Sequence, residues 1–174
     1  MNDKLKQVVT ASVLAAFTTV ATMIIKVPTL GTNGYVNIGD SVVLLCAWLL
    51  QNPYGALAAG VGSALADLLS GYPAYIPGTA VIKFAMAFVC AVIFSKLANS
   101  VPKVAAYVIS SIVAELIMVT GYFLYEAFVL GYGLAAAASI ISNGVQALTC
   151  LVIGNALIHA LDPVFRKFQL ISVK

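Results

Sequence analysis

The sequence predicts an all-α membrane protein, a compact bundle of six transmembrane helices. Hydrophobic residues make up 62% of the 174 residues and charged residues only 9%, and the mean hydropathy is +1.04. A soluble domain of this length would need many more charged side chains to cover its core. Apolar runs long enough for membrane helices also recur along the chain. Because no fixed-period repeat or low-complexity linker divides residues 1–174, a single domain is expected.

Six apolar runs supply the expected helices, since a helix needs about 20 apolar residues to cross the hydrocarbon. They cover about residues 8–25, 41–50, 54–70, 76–95, 104–125 and 134–161. The second run is short and is typical of a partly inserted or re-entrant helix, unless residues 36–39 lengthen it. Lys26 and Pro28 end the first run.

The positive charges predict the orientation, because cytoplasmic flanks of membrane helices collect Lys and Arg. With both termini in the cytoplasm, only Lys26 of the flanking cations lies outside. The cations on the cytoplasmic side are then Lys4, Lys6, Lys96, Lys103, Arg166, Lys167 and Lys174. A five-helix arrangement would put Lys96 and Lys103 on the opposite side of the membrane from Lys4 and Lys6. Six helices are therefore expected. Residues 28–39, 71–75 and 126–133 then form outward loops.

These outward loops are rich in tyrosine and glycine. This composition indicates that they form a mobile lid that covers a binding site. Anchoring of the tyrosines at the membrane interface is the alternative. Asp40 follows Gly39 at the start of the second helix. We expect its carboxylate to cap the backbone N–H groups of residues 41–43, in preference to a ligand contact.

Polar residues within the spans indicate a binding cavity, because an ionisable group in hydrocarbon costs at least a few kcal/mol without a partner or water. At 1.5 Å per helical residue they fall into two neighbouring layers, one near the midplane and one above it. Asn143 and Gln146 also share one helix face. We expect a polar cup that opens outward and includes loop residues. The expected substrate-binding residues are Lys83, Asn143, Gln146, Tyr122, Glu115, Asp67, Tyr75 and Asn37.

The alternative is that these polar groups only join helices through hydrogen bonds. Lys83 would then pair with Asp67 or Glu115. Asn143 or Gln146 would bond to Ser110 or Ser111 of the fifth helix.

The sequence lacks the patterns of several other classes of protein. There is no Ser/His/Asp order and no HExxH motif, and the lone His159 lies on the far side from the cup, so an enzyme is not expected. Phosphate-binding glycine patterns are missing, and the scattered basic residues do not suggest a nucleic-acid partner. Cys46, Cys90 and Cys150 stand singly, so neither a metal site nor a disulfide is expected. No cofactor is indicated.

Small residues at four-residue spacing predict close helix contacts. Ala56, Gly60 and Ala64 share a face of the third helix, which we expect to pack inside the bundle. Ala11 and Ala15 share a face of the first helix near its cytoplasmic end, where we expect another subunit to dock.

The chain resembles the S components, the substrate-binding subunits of energy-coupling factor (ECF) vitamin transporters, and among them the riboflavin-type branch. The similar segments are TASVLAAF, GYVNIGDSVVLL and GSALADLLSGYPAYIPGTAVIK, and the length and helix layout agree over the whole chain. The resemblance implies a vitamin-binding cup formed by helices four to six and covered by the outward loops. It also implies a prokaryotic cell membrane, docking on a transmembrane T component through Ala11 and Ala15, toppling towards the cytoplasm, and energy from two ATPase subunits.

The substrate remains open among small heteroaromatic vitamins. Vitamin B6 forms or a thiamine-precursor pyrimidine suit a small cup with one cation, two amides and several tyrosines. Riboflavin is the alternative, favoured by the branch but disfavoured because only Trp48 could stack on a wide ring. A self-sufficient small carrier or channel would be a different class, but only one helix is short and proton-relay histidines are lacking.

Overall fold

The computed structural model describes residues 3–29, 32–50 and 52–167, and the side chains of residues 4–29, 32–50 and 52–161. Residues 30 and 31 of the first predicted loop lie outside the described residues. So do Lys174 and the side chains of Arg166 and Lys167, three of the predicted cytoplasmic cations.

The described residues contain six α-helices, as predicted. They are α1 (Asp3–Ile24), α2 (Asp40–Leu49), α3 (Tyr54–Ser70), α4 (Ile76–Leu97), α5 (Lys103–Leu124) and α6 (Ala137–Lys167). A π-helical turn, Tyr125–Val129, and a 3₁₀ turn, Gly133–Ala136, join α5 to α6. Four segments are long and apolar enough to cross a membrane: Lys4–Ile24, Ile76–Leu97, Lys103–Val129 and Gly133–Leu161. Since α2 and α3 are shorter, the number of crossings and the side of the termini stay predictions.

A β-hairpin replaces the first predicted loop. β1 (Lys26–Pro28) and β2 (Tyr35–Asn37) pair antiparallel with Val27 opposite Val36. The Thr29 N–H donates to the Gly34 carbonyl at 3.1 Å and continues the pairing beyond β1. The sequence analysis treated residues 28–39 as a loop and did not recognise these strands, because strands of three residues give too little alternation to be recognised.

The short second helix lies in the centre of the protein. α2 contacts α1, α3, α4 and α6, and only Val42 of its ten residues is not buried. Trp48 is 1% exposed, donates from Nε1 to Ser110 Oγ at 3.1 Å and packs edge-on against the Tyr107 ring. A helix that is apolar on all sides is expected to be surrounded by protein. This environment explains why α2 can be shorter than a helix that faces lipid.

Small residues of α3 allow close approach on two sides. A Cβ atom at Gly60 would lie 2.8 Å from the Ala80 carbonyl oxygen of α4, and one at Gly62 would lie 2.5 Å from the Ala15 carbonyl oxygen of α1. Gly60 is buried, as is Ala56, so the predicted packing of the third helix inside the bundle is confirmed for these residues, while Ala64 is half-buried. The contact also places α1 firmly against α3.

Candidate functional site

A small polar cavity lies beneath the β-hairpin, among residues of α1, α3, α4, α5 and α6. Its volume is about 20 Å³, which is room for about one water molecule. The structure brings all the predicted substrate-binding residues except Glu115 to its wall, and their role in binding stays a prediction. The lining residues are Thr22, Thr29, Gly34, Tyr35, Asn37, Ser63, Asp67, Tyr75, Thr79, Lys83, Tyr122, Glu126, Asn143 and Gln146.

A hydrogen-bonded triad of Asp40, Lys83 and Gln146 lies beside the cavity, which Lys83 and Gln146 line. Lys83 Nζ forms an ion pair with Asp40 Oδ1, and Gln146 Nε2 donates to Asp40 Oδ2 at 2.5 Å. The side chains of Lys83 and Asp40 are 3% and 1% exposed. In so buried an environment a charge needs a partner, and this pairing joins α2, α4 and α6.

The triad corrects the prediction that Asp40 caps the second helix. Gly39 occupies the N-cap position, and no side chain caps this helix. The N–H groups of residues 41–43 instead donate to the backbone carbonyls of Ile38 and Gly39. The Asp40 carboxylate points inward because Lys83 offers it a countercharge, and the sequence contains no local sign of this long-range pair.

The predicted helix-joining pairs were also wrong. Lys83 pairs with Asp40 instead of Asp67 or Glu115, and Gln146 bonds to Asp40 instead of a serine of α5. Ser110 accepts from Trp48, and Ser111 accepts from Asn155 Nδ2 at 3.1 Å.

The hairpin bonds directly to groups of the cavity. Gln146 Oε1 accepts from the Asn37 N–H at 2.6 Å, and Asp67 Oδ1 accepts from the Tyr35 hydroxyl at 2.7 Å. Burial and then the charge of Asp67 raise the pKa of Tyr35 above its usual range, so its hydroxyl remains a donor. Both bonds would have to break if the hairpin moved away.

A second acceptor, Glu126, was not among the predicted binding residues. Its Oε1 accepts from the Tyr75 hydroxyl at 2.9 Å, and its Oε2 accepts from the Ser139 hydroxyl. Burial and the negative charge of Glu126 raise the pKa of Tyr75. Glu126 is buried in the π-helical turn that follows α5, and the only sign in the sequence is that an acid begins a predicted loop.

Two polar atoms at the cavity wall are buried without a hydrogen-bond partner among the described residues. They are Asp67 Oδ2 and Ser63 Oγ. The two residues are four apart on α3 and therefore share one helix face. Asn143 of α6 also lines the cavity and is buried. Asp67 Oδ2 and Ser63 Oγ therefore have hydrogen-bonding capacity that the described residues do not use.

Glu115 lies away from the cavity, contrary to its predicted place in the cup. It lines an apolar groove of about 360 Å³ between α5 and α6, with Leu116, Gly144 and Leu148. Neither of its carboxylate oxygens has a hydrogen-bond partner among the described residues. On α5 the cavity-lining residue is Tyr122, seven residues and about two helical turns after Glu115, and spacing along one helix does not show which neighbouring helices each side chain faces.

We expect Glu115→Met to raise the free energy of unfolding, because an unsatisfied buried polar group costs about 1–3 kcal/mol. Thermal unfolding in detergent without added vitamin measures the effect. The control is Glu126→Gln, which alters a carboxylate that has two hydroxyl donors and should lower the unfolding temperature. If Glu115→Met lowered the unfolding temperature as much as Glu126→Gln, the prediction would be contradicted.

Together these features define a helical membrane protein with a small polar cavity beneath a hairpin. The family described as the S component of the ECF-type riboflavin transporter matches residues 2–163 of the chain. The protein belongs to this family. It is therefore a membrane protein and the substrate-binding subunit of a transporter, and it is not an enzyme. The match to this family confirms the resemblance seen in the sequence.

Two known proteins are similar over most of the chain. A protein from Pyrococcus woesei, described as "Uncharacterized protein in gap 3′ region", is 34% identical over 139 residues. The match spans 80% of this chain and 90% of that protein. A solved structure described as the S component of a bacterial ECF transporter superposes with a TM-score of 0.71. That match covers 94% of this chain and 99% of the other at 19% identity, and it shows that the two share a fold.

Proposed function

We propose that this protein captures a small heteroaromatic vitamin or precursor outside a prokaryotic cell and delivers it inward as part of an ECF-type importer. The observation that carries the proposal is the convergence of buried polar side chains from α3, α4, α6 and the π-helical turn on one cavity beneath the hairpin. Such groups are costly in a membrane protein unless they serve a site. A transmembrane T component and two ATPase subunits would complete the importer.

A substrate of the vitamin B6 type is favoured over riboflavin. The cavity is small, and its described lining contains tyrosines but no tryptophan. Trp48 is bonded to Ser110 in the core and does not line the cavity, so it offers no stacking surface to an isoalloxazine ring. Riboflavin remains the second candidate because the matched family is described by that vitamin.

The hairpin would act as the lid of the site. A cavity of about 20 Å³ is far below the roughly 300–1,000 Å³ of pockets that hold small-molecule ligands. Hydrogen bonds hold the hairpin at its edges too, from Lys26 Nζ to Ser70 Oγ at 3.0 Å and from Asn33 Nδ2 to the Tyr132 hydroxyl at 3.1 Å. Breaking these few polar contacts would expose the site without unfolding a helix.

We also propose that the chain is one domain that crosses the membrane six times with both termini in the cytoplasm. The hairpin and the turns between α5 and α6 would then face outward. This orientation agrees with the charge bias of the flanking lysines, and it places the lid on the side from which the vitamin arrives.

Uptake into liposomes tests the proposed function. We expect labelled vitamin B6 to accumulate only when the protein is reconstituted with a T component, two ATPase subunits and ATP. Uptake by this protein alone would instead indicate a self-sufficient carrier or channel. Native mass spectrometry of the purified protein would identify a vitamin that stays bound.

Docking through Ala11 and Ala15 is a separate prediction. Both residues are half-buried and pack against the core, so a partner could reach only their outer edges, next to exposed Val13. We expect the double variant Ala11→Trp and Ala15→Trp to keep vitamin binding and to lose ATP-driven uptake. Ala16→Trp, at an exposed position of the same helix, is the control. Normal uptake in the double variant would rule out this docking face.

A further inference from the structure

We propose that the ligand carries a protonated amine, which binds to Asp67 beneath the hairpin. This inference names the substrate class and rests on the proposed function. Its basis is the balance of charge and of unused hydrogen-bonding capacity around the cavity.

Buried acids outnumber buried cations in this part of the protein. Among the described residues, the buried cation is Lys83. Apart from Glu115, which does not line the cavity, the buried acids are Asp40, Asp67 and Glu126. A cavity with this excess of carboxyl groups favours a positively charged ligand over an anionic one.

The buried cation is already engaged. Lys83 is paired with Asp40, and its ammonium nitrogen lies 5.1 Å from the centre of the Tyr122 ring. A ligand carboxylate or phosphate would have to compete with Asp40 for this ammonium group and would leave that acid without a countercharge. Breaking a buried pair in this way is strongly unfavourable.

Asp67 is the acid best placed to meet a ligand. It is 4% exposed, it lines the cavity, and its Oδ2 has no hydrogen-bond partner among the described residues. Ser63 Oγ, on the same face of α3, is a second unused group. Glu126 differs because hydroxyl donors already bond to both of its oxygens. An ammonium group at Asp67 would form a charge-assisted hydrogen bond, about twice as strong as a neutral one.

The same carboxylate also holds the lid. Asp67 Oδ1 accepts from the Tyr35 hydroxyl, which leaves Oδ2 for the ligand. An ammonium group bound there would bring its positive charge close to the aromatic rings of the hairpin and of α5, where cation–π attraction adds to binding. Ligand and lid would then be held by one residue.

Among the forms of vitamin B6, the proposal selects the amine. Pyridoxamine and pyridoxine share one ring and differ in a single group, an aminomethyl in place of a hydroxymethyl. At neutral pH the aminomethyl group is a cation with three donors. Pyridoxamine 5′-phosphate keeps the amine but adds a dianion, for which the cavity has no free cation among its described residues.

Isothermal titration of the purified full chain with these probes tests the proposal. We expect pyridoxamine to bind at least about tenfold more tightly than either pyridoxine or pyridoxamine 5′-phosphate. Asp67→Asn should abolish the preference for pyridoxamine over pyridoxine. Glu115→Gln, the same acid-to-amide change away from the cavity, should leave it unchanged.

Several outcomes would overturn the proposal: no binding of pyridoxamine, equal or tighter binding of pyridoxine or riboflavin, or a preference that persists in Asp67→Asn. The comparison of ligands on the unaltered protein decides the matter even if Asp67→Asn does not fold. Tight binding of riboflavin with ATP-driven uptake would reject the amine and keep the proposed function. Uptake without partner subunits would reject the proposed function itself.

Discussion

Replacing Lys83 with methionine is expected to lower the free energy of unfolding by about 3–5 kcal/mol, the usual cost of removing one partner from a buried ion pair. Asp40 would stay buried, with only the Gln146 amide to stabilise its charge. Unfolding in mixed detergent micelles, followed by tryptophan fluorescence, measures the loss, since Trp48 lies in the core on the same helix as Asp40.

The double variant Asp40→Asn and Lys83→Met isolates the pair. It removes both charges and should be more stable than Lys83→Met alone, because no uncompensated buried charge remains. Lys26→Met changes an exposed lysine that bonds to Ser70, and its effect should stay within about 0.5 kcal/mol. If Lys83→Met cost no more than Lys26→Met, the triad would not stabilise the fold. We expect any loss of vitamin binding in Lys83→Met to result from its loss of stability.

Cross-linking the hairpin to the turn between α5 and α6 is expected to slow vitamin association at least about tenfold. Asn33 of the hairpin donates to the hydroxyl of Tyr132, which lies between the π-helical and 3₁₀ turns, so a bifunctional thiol reagent can span cysteines introduced at these two positions. With the hairpin held down, the cavity keeps room for about one water molecule. Stopped-flow or surface-based binding measurements before and after linking would give the association rates.

The native cysteines make the experiment selective. Cys46, Cys90 and Cys150 are free and buried, so a reducible bifunctional thiol reagent should react first at the introduced positions. Reduction of the linker should restore the original rate, and each single-cysteine variant treated with the same reagent is a control. Linking after the vitamin has bound should slow its release. An unchanged association rate in the linked protein would show that the hairpin is not the lid.

The helices could be predicted from the sequence because apolar runs of membrane length are local signals. The bounds of α3 agree with the predicted run of residues 54–70, and α2 begins within one residue of the predicted start. The hairpin could not be predicted in the same way. Its strands have three residues each, and β1 contains Pro28, which the sequence analysis used only as an end of the first helix.

The site could be predicted as a set of residue types but not as a set of contacts. Lys83, Asn143 and Gln146 do meet at one cavity, as their levels along the helices indicated. The pairing of Asp40 with Lys83 joins residues 43 positions apart, and it required the packing of α2 against α4 to be known. Glu115 was misplaced because its direction around α5 depends on how α6 packs beside it.

The sequence by itself determined the membrane environment, the six helices and the set of polar residues within them, which need partners or water in a membrane. These properties depend on composition and on periodicity within single segments. Only the tertiary structure decided which buried charges neutralise one another, which carboxylate remains available for a ligand, and what covers the cavity. Those properties arise from distances between side chains on different helices. Such distances follow from packing, for which no local pattern of residues is a substitute.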